Sequence, residues 1–311
     1  MNPARTRAYI GLLIVTAIWG LAGPIIKYTL GGFDSLSFLT YRFAISTMVA
    51  LISFAVLGIH IPKDKNTFWN LMAYGFLTST VSLGLLFFGL ENTTVLDMSL
   101  ITLANPLLIS IGGVMFLGEH ITKKEKLGMG IAFAGTLLTV IEPLIQNGGS
   151  EIRLSGNIFI VGYLIATAWA TVMAKRLLRE GVRPETMTNS SFIIGLISLL
   201  PFLILRPGFS LNALYQVPFT YHLGVVYMAI LSGSLAYYLY EKAQKTIEIG
   251  EASVFSYLYP LFSMPLAVLW LGEKVTPMFI VGAGIIALGV AIAEIKKKRY
   301  NTSSNKQSLA K

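Results

Sequence analysis

The chain contains no cysteine and only three histidines. Without cysteine it can form neither a disulfide framework nor a thiolate metal site. His60, His120 and His222 fall in or beside loops and have no metal-ligand spacing. A G-x4-G-K-[ST] phosphate loop and a G-x-S-x-G nucleophile motif are also missing. These absences argue against ATP-driven chemistry, a metal site and a recognisable hydrolase, and we expect no cofactor.

Charged residues are scarce as well, at 13% of the chain against about 25% in soluble domains. Hydrophobic residues make up 54%, and the mean hydropathy is +0.69. Long apolar segments with few charges are typical of transmembrane helices, which need about 20 residues each. The net charge of +9 sits between these segments, which favours a lipid bilayer over nucleic acid as the partner. Composition therefore predicts an all-α integral membrane protein.

One stretch of the sequence occurs twice. Residues 97–135 and 251–289 align without gaps at an offset of 154 and are identical at 12 of 39 positions. Shared apolar bias does not explain these matches, since they include proline, Gly-Glu, threonine and three glycines at one offset. The chain is therefore an internal duplication. The glycines predict close helix packing; they are Gly128, Gly130, Gly135, Gly282, Gly284 and Gly289.

Each copy predicts five spanning helices. The first repeat covers residues 8–145, the second covers 156–295, and 296–311 is expected to be a disordered, basic cytoplasmic tail. An odd number of spans inverts the second repeat relative to the first. The predicted spans are 8–30, 35–59, 68–90, 95–117, 127–145, 156–178, 187–205, 220–240, 252–271 and 277–295.

The distribution of lysine and arginine predicts the orientation in the membrane. With the N-terminus inside, nineteen of the 24 basic residues fall on the inner segments and three on the outer loops. This bias places both termini in the cytoplasm and the protein in the cytoplasmic membrane. The loop HITKKEK after the first Gly-Glu becomes KVTPMF in the second copy, as inversion requires. Inverted repeats place a binding site near the midplane and permit alternating access.

The chain resembles the EamA family of the drug/metabolite transporter superfamily. The resemblance rests on Trp19-Gly20 with Lys27, on Tyr41-Arg42-Phe43, on Trp169-Ala170 and on the doubled P-x11-G-E signature. It covers nearly the whole chain. It implies a ten-helix carrier of small metabolites, often one that exports amino acids, drugs or related compounds, without naming the substrate.

Two prolines lie inside predicted membrane helices. Pro106 and Pro260 each remove a backbone hydrogen bond and kink the helix. The kink either serves packing or opens a central cavity, in which case Asn105 and Tyr259 face inward. Trp19 and Trp169 occupy similar positions in the first and sixth helices, which favours a cavity role for both. Other aromatic residues either line the pathway or form interfacial belts, and Tyr240 is expected at the interface.

Two cations lie within or beside the first two helices. Lys27 and Arg42 either extend to the interface or attract a carboxylate or phosphate of the substrate, and Glu142 is a possible partner for either. The acids of the doubled stretch are expected to be structural. Asp97 and Glu251 begin helices, and Glu119 and Glu273 shape turns. The predicted cavity residues are Trp19, Lys27, Tyr41, Arg42, Asn105, Trp169, Tyr237 and Tyr259.

These features predict a secondary transporter of a small organic metabolite that works by alternating access. Export follows from the resemblance alone. A passive channel is one alternative and an integral-membrane enzyme another, although no catalytic residue is expected. The predicted partners are a small-molecule substrate and the bilayer, with a monomer or homodimer as the assembly.

Overall fold

A computed structural model describes residues 3–118, 123–145, 151–207 and 210–294. Within these ranges the regular structure is entirely helical. Nine helices have the length and apolar composition to cross a membrane, and a tenth, shorter apolar helix follows them. The predicted all-α membrane fold is thus confirmed. The predicted tail at 296–311 and Glu119 lie outside the described residues.

The ten helices alternate in direction along the chain. We call the face where the first helix begins the N face and the opposite face the far face. A short helix, Leu211–Gln216, connects the seventh and eighth. The ten are α1 Pro3–Thr29, α2 Ser35–Leu57, α3 Lys65–Asn92, α4 Val95–Leu117, α5 Lys123–Ile145, α6 Glu151–Arg179, α7 Pro184–Ile204, α8 Phe219–Gln244, α9 Ile249–Leu269 and α10 Pro277–Glu294.

The largest helix contacts join the two repeats. Helix α2 packs on α7, and α5 packs on α10. Helix α1 packs on α8 and α9, and in the same way α6 packs on α3 and α4. Exchanging the repeats reproduces this set of contacts, as expected for an approximate two-fold axis between inverted halves. The halves therefore interleave, and the helices nearest the axis come from both.

Four helices are irregular, at matching places in the two repeats. Helices α3 and α8 contain π-helical stretches, Phe76–Ser82 and Tyr227–Leu235. Helix α4 is interrupted at Leu103 and Ala104, and α9 has a 3-10 stretch at Val254–Leu258. A proline, Pro106 or Pro260, stands in the first turn of the helical segment that follows each interruption. Proline suits that position because its missing N–H has no intrahelical partner there.

Two of the duplicated glycines bring α5 and α10 together. A Cβ on Gly135 would lie 2.9 Å from the Ile286 nitrogen, and one on Gly289 would clash with the Ala132 nitrogen. Both contacts are with backbone, which cannot move aside. A Cβ on Gly130 or Gly284 would meet open space. Close packing therefore explains some of the repeated glycines and not others.

Candidate substrate cavity

An internal cavity lies between α1, α2, α3, α4, α6, α8 and α9. The space open to the centre of a water-sized sphere is about 120 Å³. Roughly 10–15 Å³ on the same measure is enough to hold one water, so the cavity is large enough for a small solute. Residues from both repeats line it at mid-depth. Trp19, Arg42 and Asn105 come from the first repeat, and Tyr237 and Tyr259 come from the second. Five of the eight predicted cavity residues therefore meet in one place.

Aromatic side chains form one wall of the cavity. The Trp19 ring centre lies 5.1 Å from those of Tyr237 and Tyr240 and 6.4 Å from that of Tyr259. Its indole Nε1 donates to the Ser232 carbonyl at 2.9 Å, inside the π-helical stretch of α8. Tyr240, expected at the membrane interface, instead lines the cavity. The reason is that α8 continues to Gln244, beyond its predicted end at 240.

Hydroxyl pairs join the repeats across the cavity lining. Ser99 and Ser263 share a hydrogen bond of 2.8 Å, and Ser82 and Thr167 share one of 2.7 Å. The side-chain oxygen of Asn105 is buried without a hydrogen-bond partner among the described residues. These groups give an apolar cavity a few polar contacts, which is the usual composition of a small-molecule site.

Arg42 is the one cation in the described lining. The residue is 0% exposed, and its guanidinium nitrogens have no hydrogen-bond partner within the described residues. The guanidinium carbon lies 5.8, 5.7 and 5.9 Å from the ring centres of Phe43, Phe87 and Phe192. Cation–π attraction offsets part of the cost of burial. A cation at the centre of a membrane helix still costs about 2.5–3.5 kcal/mol.

Lys27 lies outside the cavity and caps a helix. Its Nζ donates to the carbonyls of Leu90 and Thr93 at 2.7 Å, at the C-terminal end of α3. Lys175 does the same in the second repeat, with bonds to Gln244 and Ile247 at 2.5 and 2.6 Å at the end of α8. A lysine satisfies the open carbonyls and the negative end of the helix dipole. The duplicated geometry gives Lys27 an architectural role.

Trp169 and Tyr41 also lie outside the cavity. Trp169 is 47% exposed and packs edge-on against Phe116 at 4.6 Å. Lys27 and Lys175 occupy equivalent positions in α1 and α6. When the two helices are aligned on these lysines, Thr167 stands at the position equivalent to Trp19. Trp169 is two residues further on, or about 200° around the helix. Tyr41 packs on Phe33 and His222 at 6.1 and 5.8 Å.

Glu241 is a cavity residue that sequence reasoning assigned to a loop. It is 1% exposed, and it accepts hydrogen bonds from the Tyr74 hydroxyl at 2.6 Å and the Thr188 hydroxyl at 2.7 Å. The spacing of Tyr237, Glu241 and Gln244 on one helix face was the available signal. Within the described ranges, no three His, Asp or Glu side chains lie close enough to hold a metal ion.

A buried polar cluster lies between the cavity and the far face. Arg153 donates to both oxygens of Asp97 at 2.7 Å. Thr93 and Asn157 also donate to Asp97, each at 3.2 Å. Glu142 approaches Arg153 to 3.7 Å and accepts from Thr276. The suggested pairing of Glu142 with Lys27 or Arg42 is therefore wrong.

Glu273 joins the second repeat to the start of α4. Its carboxylate accepts from the backbone N–H groups of Val95 and Leu96 at 2.8 and 2.9 Å. Burial raises the pKa of this carboxyl above its usual value, although the two N–H groups oppose that shift. Glu273, which belongs to the Gly-Glu pair of the second repeat, thus caps the N-terminus of α4 in the first repeat.

At the N face, a smaller cluster has the same plan. Arg5 donates to Glu251 at 2.6 Å, and Tyr9 donates to the same carboxylate. Arg5 stands in the first turn of α1, as Arg153 stands in the first turn of α6. Glu251 is the duplicate of Asp97. Each repeat therefore places an acid at the start of one helix against an arginine from the other repeat.

The family is decided by a match to the EamA-like transporter family model at residues 6–141 and 154–294. The chain belongs to this family. It is 28% identical over 307 residues to the "Uncharacterized transporter YyaM" of Bacillus subtilis, covering 94% of this chain and 96% of that one. It is 26% identical over 297 residues to a "Probable amino-acid metabolite efflux pump" of Salmonella typhimurium, covering 93% and 95%.

A solved crystal structure supports the fold of this EamA-like chain. It superposes with a TM-score of 0.64 at 18% identity and covers 94% of this chain and 97% of the other. At that identity the likeness concerns the fold alone. The family match and the apolar helices describe a multi-pass membrane transporter.

Proposed function

We propose that this protein is a secondary carrier that exports a small organic metabolite by alternating access. The observation that carries the proposal is the cavity between the interleaved repeats. It joins an aromatic wall, unpartnered polar groups and a buried cation at mid-depth. Duplicated ion pairs lie at either end. A small rotation of one repeat against the other would open one end and close the other.

The direction of transport is supported by the relatives. Two of them, from Salmonella typhimurium and Escherichia coli, are named as probable amino-acid metabolite efflux pumps. Their names suggest export of an amino acid or a related solute. They also favour a transporter over an integral-membrane enzyme.

Flux measurements distinguish a carrier from a passive channel. Proteoliposomes are loaded with a small-molecule extract of cells grown on ¹³C-glucose, and the labelled solutes that leave are identified by mass spectrometry. We expect a few chemically related solutes to leave saturably, and faster when the same unlabelled solute is present outside. Ohmic current without saturation would favour a channel. No solute leaving faster than from protein-free vesicles would contradict both.

We further propose that the protein lies in the cytoplasmic membrane with the N face toward the cytoplasm, as the basic residues suggest. The natural lack of cysteine allows a direct test with single cysteines. Lys124→Cys lies at the N face and Lys274→Cys at the far face. In intact cells an impermeant maleimide should label the second, and the first only after permeabilisation. The reverse pattern would invert the topology.

A further inference from the structure

Arg42 differs from the other buried or partly buried basic residues of the described structure. Lys27 and Lys175 donate to helix-end carbonyls, and Arg153 pairs with Asp97. Each of these contacts has a counterpart in the other repeat. Among the described residues, Arg42 has no hydrogen-bond acceptor, and the other repeat has no equivalent cation. Architecture therefore does not account for its charge.

The packing of α2 on α7 identifies the residue that replaces Arg42 in the second repeat. Phe43 and Phe192 face each other with ring centres 5.9 Å apart, and both are fully buried. The residue before each is Arg42 in α2 and Ser191 in α7. Ser191 is buried and bonds the Thr188 carbonyl of its own helix at 2.9 Å. The cation is present in one copy only, so the duplicated fold does not require it.

We infer that Arg42 binds an oxyanion group of the transported solute, so that the solute is a small organic anion or a zwitterion with a carboxylate or phosphate group. This inference rests on the proposed function and names its substrate class. A buried guanidinium without an acceptor is stabilised when an oxyanion takes its two parallel N–H groups. Such a partner removes the penalty of an unpaired buried charge.

Two tyrosine hydroxyls in the cavity lining suit an oxyanion bound at Arg42. A Cβ on Gly233 would lie 3.5 Å from Nη2 of Arg42, an ordinary contact distance, so the π-helical stretch of α8 lies next to the guanidinium. Tyr163 and Tyr237 line the same cavity, and their hydroxyls can donate to an oxyanion. Apart from Arg42 and the tyrosines, Glu241 is the one ionisable side chain in the described lining. It accepts hydrogen bonds from Tyr74 and Thr188 and not from Arg42.

The aromatic wall defines where the rest of the solute would lie. The Phe192 ring lies 5.9 Å from the Arg42 guanidinium and 5.7 Å from the Tyr237 ring, which in turn lies 5.1 Å from Trp19. A solute with its oxyanion at Arg42 therefore places an apolar or aromatic body against Trp19. An anion without such a body would lose these contacts.

Tryptophan fluorescence provides a binding assay because one tryptophan lines the cavity. The other three are partly exposed and are replaced by phenylalanine to leave Trp19 as the sole reporter: Trp69, Trp169 and Trp270. The purified protein is titrated with phenylacetate, phenyl phosphate and leucine, and with the uncharged phenylacetamide and the cationic leucinamide. Comparing phenylacetate with phenyl phosphate shows whether the site prefers a carboxylate or a phosphate.

We expect at least one oxyanion probe to bind saturably and about tenfold more tightly than its amide, since a site built for a charged acceptor rejects the analogue that lacks it. Arg42→Gln should abolish this preference, and Arg42→Lys should keep part of it. Arg176→Gln is the matched control, because Arg176 also faces a ring, that of Phe116 at 5.6 Å, but lies outside the cavity. That variant should keep the full preference.

Three results would overturn the inference: equal binding of acid and amide, no binding of any oxyanion probe, or an unchanged preference in Arg42→Gln. Gel filtration and thermal unfolding check that the Gln variant folds. If it does not, the acid–amide comparison in the parent and in Arg42→Lys decides the question. Saturable flux of an uncharged solute would leave the proposed carrier intact and remove the anion site. Anion binding without flux would support the anion site and contradict the proposed carrier.

Discussion

The two ends of the molecule carry the same ion pair in different surroundings. At the far face, Arg153 and Asp97 are 2.7 Å apart, with side-chain exposures of 20% and 1%. At the N face, Arg5 and Glu251 are 2.6 Å apart, with exposures of 49% and 32%. Distance and charge are nearly equal, so burial is what separates the two pairs.

This difference in burial changes what each pair contributes. Thr93 and Asn157 complete the hydrogen bonding of Asp97 in a place that water does not reach. At the N face, Tyr9 is the additional donor and solvent screens the charges. Exposed ion pairs contribute little, whereas removing one partner of a buried pair leaves an uncompensated charge. The duplicated contact is therefore expected to stabilise the far face more than the N face.

The largest expected effect is on stability, from neutralising the buried acid. Asp97→Asn removes the charge that Arg153 faces, and we expect a loss of about 3 kcal/mol in the free energy of unfolding. The matched variant Glu251→Gln should lose much less, because its pair is solvent-exposed. Thermal unfolding of both purified variants in detergent measures the difference. Equal losses would show that burial does not separate the two ends.

A second prediction concerns which end opens. Ser263 is 2% exposed and bonds Ser99 across the cavity, so Ser263→Cys reports access to the cavity. Under alternating access, adding Asp97→Asn should speed maleimide labelling from the far face by about tenfold, the effect of a 1.4 kcal/mol shift in population. Adding Glu251→Gln should speed labelling from the N face, and by less.

Intact cells and inverted membrane vesicles present the two faces to the reagent separately. Ser263→Cys alone is the reference, and Lys124→Cys and Lys274→Cys report which face is accessible. If both charge variants speed labelling from the same face, the pairs do not close opposite ends. That result would contradict alternating access through this cavity.

The sequence was sufficient to predict the fold because the fold depends on features that survive duplication. Apolar length gave the helices, and the constant offset of proline and glycine gave two repeats. The same information placed Asn105 and Tyr259 in the cavity, since the interruptions before Pro106 and Pro260 lie near mid-depth. For these residues, position along the helix was enough.

Position around the helix was the part that could not be predicted. Trp169 lies near the depth of Trp19 but points away, because a shift of two residues turns a side chain by about 200°. Lys27 was indistinguishable from a ligand-binding cation until its three carbonyl acceptors were seen. Glu241 was missed because α8 extends one turn further than its apolar run. Tertiary contacts decide the first two, whereas the helical spacing of Tyr237, Glu241 and Gln244 could have placed the third.

The smallest expected effect is a pH dependence at the far face, from Glu273. Burial raises the pKa of this carboxyl above its ordinary value of 4.5, so the folded protein holds the proton more tightly than the unfolded chain. Stability from this group is therefore greatest below pH 4.5 and falls as the pH rises to the folded pKa.

Two variants separate the charge of Glu273 from its role as a helix cap. Glu273→Gln keeps one of the two acceptor oxygens that bind the N–H groups of Val95 and Leu96. It also lacks the charge, so its stability relative to the parent should rise between pH 4 and pH 7. Glu273→Ala removes the acceptor as well, so it should be about 1 kcal/mol less stable than the Gln variant at all of these pH values. Thermal unfolding of the three proteins at each pH tests both statements. A Gln variant whose relative stability falls with pH would show that the N–H groups of α4 outweigh burial, and the far face would then depend on this charge as it does on Asp97.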